Sequence, residues 1–143
     1  MTITVDNVAA GVPVTVMRLA GELDASNYQE IIGHAETLYQ DGARYLLLDL
    51  SELTFLSSSG LVALHSVALT MRGEKAPDRE AGWDLVHAMG HEVAGTTGPH
   101  VSLKLLKPQP RVARTLDVSG FSRLLSVYGD QEEALASFAA AGN

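Results

Sequence analysis

Cysteine is absent from the 143 residues of this sequence, so neither a disulfide framework nor thiolate chemistry is available. Basic residues are few: ten lysines and arginines stand against seventeen acidic residues, giving a formal net charge of −7. This balance argues against nucleic acid as a direct partner, because nucleic acid binds basic surfaces. No apolar run approaches the roughly 20 residues that cross a bilayer, so we expect no membrane insertion.

The amino-terminal stretch, MTITVDNVAAG, also lacks the basic and long apolar regions of a signal peptide. We therefore expect a cytoplasmic protein. The length fits one domain, residues 1–143, which can bury a core without covalent cross-links.

Strand and helix patterns alternate along the chain, which is typical of an α/β fold. Strands are predicted at residues 1–7, 12–21, 43–50, 101–106 and 122–128. Val12, Val14 and Val16 alternate on one face of the second strand. The third, ARYLLLDL, is apolar on both faces, like a strand in the middle of a sheet. Four helices are predicted within residues 21–42, 61–72, 108–121 and 129–143. The first two strands should form an antiparallel hairpin that turns near Gly11, and the later crossovers through helices should be parallel. We therefore expect a mixed sheet of about five strands and about four helices.

Capping residues, a proline and a glycine mark the predicted ends of several helices. Asp24 or Ser26 is the expected amino-terminal cap of the first helix, and Asp130 that of the last. Pro110 lies near the start of the third helix, and Gly120 follows its end.

A long excursion, residues 72–100, precedes the fourth strand and exceeds the length of an ordinary connection. Trp83, Val86, Gly90 and Val93 share one helical face, which predicts a short amphipathic helix in an atypical insertion. This helix either packs on its own domain or provides a partner or homodimer contact, because tryptophan often anchors interfaces.

Three consecutive serines, in FLSSSGL at residues 55–61, stand between a predicted strand and a predicted helix. A hydrolase nucleophile elbow needs glycine two residues before and two after its serine, but Leu56 precedes Ser58. We therefore expect no enzymatic activity and no cofactor. The unpaired amides at a helix start tolerate an anion, either free or covalently attached to a serine. Alternatively, the hydroxyls only cap the helix.

The run LLLDLSELTFLSSSGLVAL resembles the signature of the STAS domain family, named for sulphate transporters and anti-sigma factor antagonists. That family typically reads apolar strand, Asp, Leu, a short link, then Asp-Ser-Ser/Thr-Gly-Leu. RLAGELDASNYQEI is similar to the Gly-x-Leu-Asp segment that enters the family's first helix. The carboxyl-terminal strand, helix, short strand and helix follow in the family's order.

The resemblance implies a partner switch. Many stand-alone STAS proteins are anti-anti-sigma factors that bind an anti-sigma factor, itself a serine kinase, and are released when that kinase phosphorylates them. A serine phosphatase reverses the step. The family's phosphoacceptor corresponds to Ser58, and its preceding Asp corresponds to Ser57, a departure from the pattern. The resemblance further implies a partner-binding surface, with residues Asp24, Ser57, Ser59, Gly60 and Leu61.

An alternative stays open within the same family. The chain is then a STAS subunit of a larger assembly, such as a stress-sensing complex or a lipid transporter, without phosphorylation. A third reading, small-ligand binding at the serine turn, requires no protein partner.

Two histidines, His87 and His91, lie four residues apart, where a helix would place both on one face. No glutamate follows His87 directly, so the metalloprotease pattern is absent. We therefore predict no stoichiometric zinc in the purified protein. Elemental analysis checks this, and one metal per chain that is lost in His91→Ala would overturn it.

Overall fold

The computed structural model describes residues 1–72 and 100–142, which form a mixed sheet with helices packed on both faces. The strands are β1 (Thr2–Ala9), β2 (Pro13–Leu23), β3 (Leu46–Leu56), β4 (His100–Leu106) and β5 (Leu125–Tyr128). The helices are α1 (Tyr28–Gln40), α2 (Ser58–Met71), α3 (Pro110–Ser119), α4 (Phe121–Leu124) and α5 (Gln131–Gly142). The predicted α/β fold is confirmed. The predicted amphipathic helix with Trp83, the homodimer contact and the pair His87 and His91 lie outside the described residues.

The strands are arranged in the order β1-β2-β3-β4-β5. β1 and β2 pair antiparallel, whereas β2 with β3, β3 with β4 and β4 with β5 pair parallel. The central strand β3 is buried on both faces, as its continuous apolar run predicted. Leu46 and Leu48 face one core cluster, and Leu47 faces the other.

Strand β2 is buried on both faces, although its alternating pattern predicted burial of one face only. Val14 and Val16 face the core beneath α5, in the predicted phase. Met17 and Leu19, on the opposite face, are fully buried in the larger core. β2 is therefore a second interior strand, covered by helices on both sides.

The helices form two layers of unequal size. Apolar side chains of α1, α2 and α3 pack into the larger core, and those of α5 pack into the smaller one. A buried lysine joins α5 to the sheet: the Lys104 ammonium donates to the Ser137 hydroxyl at 2.8 Å and lies 4.7 Å from the centre of the Phe138 ring. Within residues 1–72 and 100–142, no helix is long and apolar enough to span a membrane.

The predicted strand at residues 122–128 is wrong in its first half. Gly120, with a φ of 87°, ends α3 in the left-handed region. The chain then makes the single helical turn α4, in which the Arg123 amide donates to the Gly120 carbonyl at 3.1 Å. Only Leu125–Tyr128 form the strand. The predicted cap of the last helix is confirmed, since the Asp130 carboxylate accepts from the Glu133 amide at 3.1 Å.

One ion pair links β2 and β3 above the smaller core. The Arg18 guanidinium donates to the Asp49 carboxylate at 3.1 Å, and the Ser51 amide donates to the same carboxylate at 3.0 Å. Burial of Asp49 alone would raise its pKa, but the hydrogen bonds from Ser51 and the charge of Arg18 outweigh burial. The pKa of Asp49 therefore lies below its ordinary value.

Asp49→Asn should lower the free energy of unfolding by about 1–3 kcal/mol near neutral pH, because it removes the charge that Arg18 and Ser51 stabilise. A lowered pKa contributes stability that is present above the unfolded value, about 3.9, and is lost as the pH falls through the folded value. The difference between wild type and variant should therefore shrink in acid. Urea unfolding across a pH series measures it.

Asp117→Asn, on the exposed surface of α3, is the matched control and should change stability little at any pH. A wild-type advantage over Asp49→Asn that stays constant into strong acid would contradict the assignment.

Candidate functional site

The serine turn lies at the carboxyl-terminal edge of the parallel strands β2 and β3. The Ser57 amide donates to the Leu23 carbonyl at 3.0 Å, which ties the turn after β3 to the last residue of β2. Ligand and partner sites of parallel sheets form at this edge, where loops that follow the strands meet. The hydrogen bond brings the Asp24 loop and the serine turn together.

Ser57 caps helix α2. Its backbone is extended, with φ −90° and ψ 177°, and its hydroxyl accepts from the Gly60 amide at 3.2 Å. Its carbonyl accepts from the Leu61 amide at 3.0 Å, the first helical bond. The side-chain bond satisfies one of the amides that a helix start leaves unpaired. The capping role that the sequence left open among three hydroxyls belongs to Ser57.

The three serines occupy three different environments. Ser57 is half-buried in its capping bond, and Ser58, the first residue of the helix, is exposed. Ser59 is buried, with 3% of its surface exposed. An exposed hydroxyl beside a capped turn can react with an enzyme from solution, whereas the buried hydroxyl of Ser59 cannot do so without local unfolding.

Gly60 allows the helix to approach the sheet. A Cβ atom at this position would lie 2.5 Å from Leu56 Cδ1 and 3.0 Å from the Leu23 carbonyl oxygen. The backbone oxygen cannot move without disturbing the end of β2, so a side chain larger than hydrogen displaces α2. Leu61, next along the helix, is 7% exposed and belongs to the larger core.

The Asp24 loop is held by its own side chains. The Asp24 carboxylate accepts from the Ser26 hydroxyl at 2.6 Å and from the Ser26 amide at 2.9 Å. These hydrogen bonds, the side-chain one first, hold the pKa of Asp24 below its ordinary value. The carboxylate is therefore ionised at neutral pH, and Asp24 directly follows Leu23, whose carbonyl binds the serine turn.

The predicted cap of the first helix is wrong. Neither Asp24 nor Ser26 caps α1; Asn27 occupies the cap position, without a side-chain capping bond. The Asn27 amide instead bridges the loop, since it accepts from the Asp24 amide at 3.0 Å and donates to the Glu22 carbonyl at 2.8 Å. The sequence held a signal for this role, because asparagine is common in turns where its side chain bonds nearby backbone.

The chemical group that the site exposes to solvent is the Ser58 hydroxyl. Among the described residues, no histidine or carboxylate accepts a hydrogen bond from Ser58. His65 is buried on α2 and meets the Phe121 ring edge-on, with the ring centres 6.4 Å apart. The described part of the chain also holds no cluster of three or more His, Cys, Asp or Glu side chains able to bind a metal.

Comparison with known proteins identifies the family. Residues 5–75 match the STAS domain model. The chain therefore belongs to the STAS domain family, as the serine turn and the sheet indicate. No curated protein sequence matches it.

Solved structures share the fold at low sequence identity. An anti-sigma factor antagonist from Mycobacterium paratuberculosis is 18% identical, with a TM-score of 0.65 over 96% of this chain and 92% of that one. The anti-sigma factor antagonist SpoIIAA in its unphosphorylated form is 22% identical, with a TM-score of 0.55 over 99% and 98%. The phosphorylated form of SpoIIAA, a cell fate determinant of Bacillus, is 21% identical, with a TM-score of 0.56 over 94% and 96%.

Gly60→Ala should destabilise the protein by roughly 1–3 kcal/mol, because the added methyl group overlaps Leu56 and the Leu23 carbonyl. Gly33→Ala is the control: Gly33 is inside α1, and a Cβ there meets no atom within 4 Å. That substitution should stabilise the protein by about 0.5–1 kcal/mol through helix propensity. Chemical denaturation measures both, and equal effects would show that Gly60 is not sterically required.

Proposed function

We propose that this protein is an anti-sigma factor antagonist, a binding protein that sequesters an anti-sigma factor in the cytoplasm and is switched by phosphorylation of Ser58. The observation that carries the proposal is the exposed Ser58 hydroxyl at the first position of α2, in the serine turn of a STAS domain. The fold shared with three anti-sigma factor antagonist structures, one of them phosphorylated, supports it. The partners are an anti-sigma factor with serine kinase activity and a serine phosphatase.

A phosphate on Ser58 is compatible with the fold. It adds about −1.5 to −2 charge at neutral pH, at the positive end of α2. Such a charge at a helix start stabilises the helix by roughly 0.3–1 kcal/mol. Since Ser57 supplies the cap, modification of Ser58 leaves the bond to Gly60 in place.

The same phosphate opposes binding. Binding of a partner must desolvate the doubly charged phosphate, and the phosphate repels any carboxylate of the partner that lies there. The ionised Asp24 carboxylate, at the same edge of the sheet, adds to the negative charge. Loss of binding therefore outweighs the small gain in fold stability.

The buried members of the predicted partner surface have a supporting role in this proposal. Ser59, Gly60 and Leu61 lie beneath the surface, so they act by fixing where Ser57 and Ser58 project. The partner then contacts Asp24, Ser57 and Ser58 directly.

Ser57 stands where the family has Asp, and this difference bears on the switch. A carboxylate at the cap would accept the same bond from the Gly60 amide but would place a negative charge beside the phosphate. The neutral Ser57 hydroxyl removes that repulsion. If the kinase requires an acid at this position, Ser57 instead favours the alternative, a STAS subunit of a larger assembly without phosphorylation.

Ser58→Ala should bind the anti-sigma factor constitutively, and Ser58→Glu should bind at least about tenfold more weakly, a difference of 1.4 kcal/mol. Ser57→Ala removes the cap, so it should lower stability by about 0.5–2 kcal/mol and leave the phosphoacceptor in place. Calorimetric titration with the anti-sigma factor encoded in the same cell measures binding.

Incubation with that factor and ATP, followed by mass spectrometry, maps the modified residue. Phosphate on Ser57 or Ser59 would refute the register. Absence of phosphate, with equal binding by wild type, Ser58→Ala and Ser58→Glu, would exclude the switch and favour the assembly subunit.

A further inference from the structure

A group of cations lies where helix α3 begins, on a chain whose net charge is −7. Lys107 follows β4, and Arg111 and Arg114 lie on the amino-terminal half of α3; all three side chains are exposed. Within the described residues, none of the three belongs to an ion pair. No carboxylate of residues 1–72 or 100–142 therefore neutralises their positive charge.

The two arginines share one helix face with an exposed apolar residue. Arg114 follows Arg111 by three residues and Val118 follows Arg114 by four, the spacings that place side chains next to one another on a helix. Val112 and Leu116, on the opposite face, are 0% and 1% exposed. Val118 is 81% exposed. We call Lys107, Arg111, Arg114 and Val118 the basic face.

The placement of these cations works against stability. Lys107 has a φ of 48° and is the one non-glycine residue in the described ranges with a positive φ. Glycine would adopt that backbone without strain. Arg111 lies in the first turn of α3, where the helix dipole favours an acidic residue, and this turn has none. The stability of the fold therefore explains neither Lys107 nor Arg111.

We propose that the basic face is a second docking surface, separate from the serine turn, and that it binds an acidic segment of a partner protein that carries an apolar side chain. Charge complementarity selects the acidic segment, and Val118 at the carboxyl-terminal end of the face offers the apolar contact. A nucleic acid fits less well, since its phosphate backbone makes no use of the exposed Val118. The proposal does not depend on phosphorylation of Ser58.

Nuclear magnetic resonance titration of the labelled full chain tests the proposal. The probe is a synthetic peptide in which glutamates surround one leucine, with a matched peptide in which glutamines replace the glutamates. The acidic peptide should shift amide signals between residues 107 and 118 in a saturable way that weakens with added salt. The glutamine peptide should not.

Variants separate binding from folding. Lys107→Gly should raise the thermal midpoint by a few degrees, by relief of backbone strain, yet weaken peptide binding by about two- to fivefold. Val118→Ser should weaken binding without any change in charge. Arg44→Gln alters the net charge as Lys107→Gly does, but Arg44 precedes β3 at the opposite end of the sheet, so its binding should match wild type.

Shifts spread over the whole surface, or equal binding by all variants, would overturn the proposal. Tighter binding of a DNA duplex at residues 107–118 would replace the acidic segment with nucleic acid. Because the probe and the variants leave Ser58 unchanged, failure here is distinguishable from failure of the phosphorylation switch.

Discussion

The hydrogen bond between the Ser57 amide and the Leu23 carbonyl, 3.0 Å long, fixes the geometry on which the site depends. It holds the start of α2 against the end of β2, at a point where the helix approaches so closely that residue 60 has room only for hydrogen. Once that contact is made, the Ser57 hydroxyl faces the Gly60 amide and closes the cap. Ser58 is then left exposed at the first position of a capped helix.

Sequence patterns predicted the five strands of the sheet, the antiparallel pairing of the first two and the parallel pairing of the rest. A continuous apolar run placed β3 in the middle of the sheet, because only a strand covered on both faces has two apolar faces. They failed where two local structures compete over a few residues, as at residues 121–124, where the glycine that ends α3 also starts a helical turn. They also missed the second buried face of β2, since Met17 and Leu19 alternate with residues already assigned to a single core.

The sequence predicted where the candidate site lies but not the separate role of each of its three serines. Three adjacent serines are chemically identical in the sequence, and each is a good cap residue. What distinguishes them is the extended backbone at Ser57, whose amide bonds to Leu23 of β2, distant in sequence, and the burial of Ser59 in the folded domain. Asn27 was missed for a different reason: its side chain bridges two backbone groups close in sequence, while Asp24 and Ser26 were expected to cap the helix.

Two surfaces of different charge lie at the same edge of the sheet, because β3 and β4 are parallel and their carboxyl ends point the same way. The serine turn follows β3 and lies beside the ionised Asp24, whereas the basic face follows β4. We propose that phosphorylation of Ser58 prevents binding of the partner and leaves the fold intact. The most direct measurement takes the Ser58-phosphorylated protein and the unmodified protein and determines, for each, the free energy of unfolding and the affinity for the anti-sigma factor. We expect the phosphorylated protein to have equal or slightly higher stability and to lose its affinity; unchanged affinity, or unfolding of the domain on phosphorylation, would contradict the proposed switch.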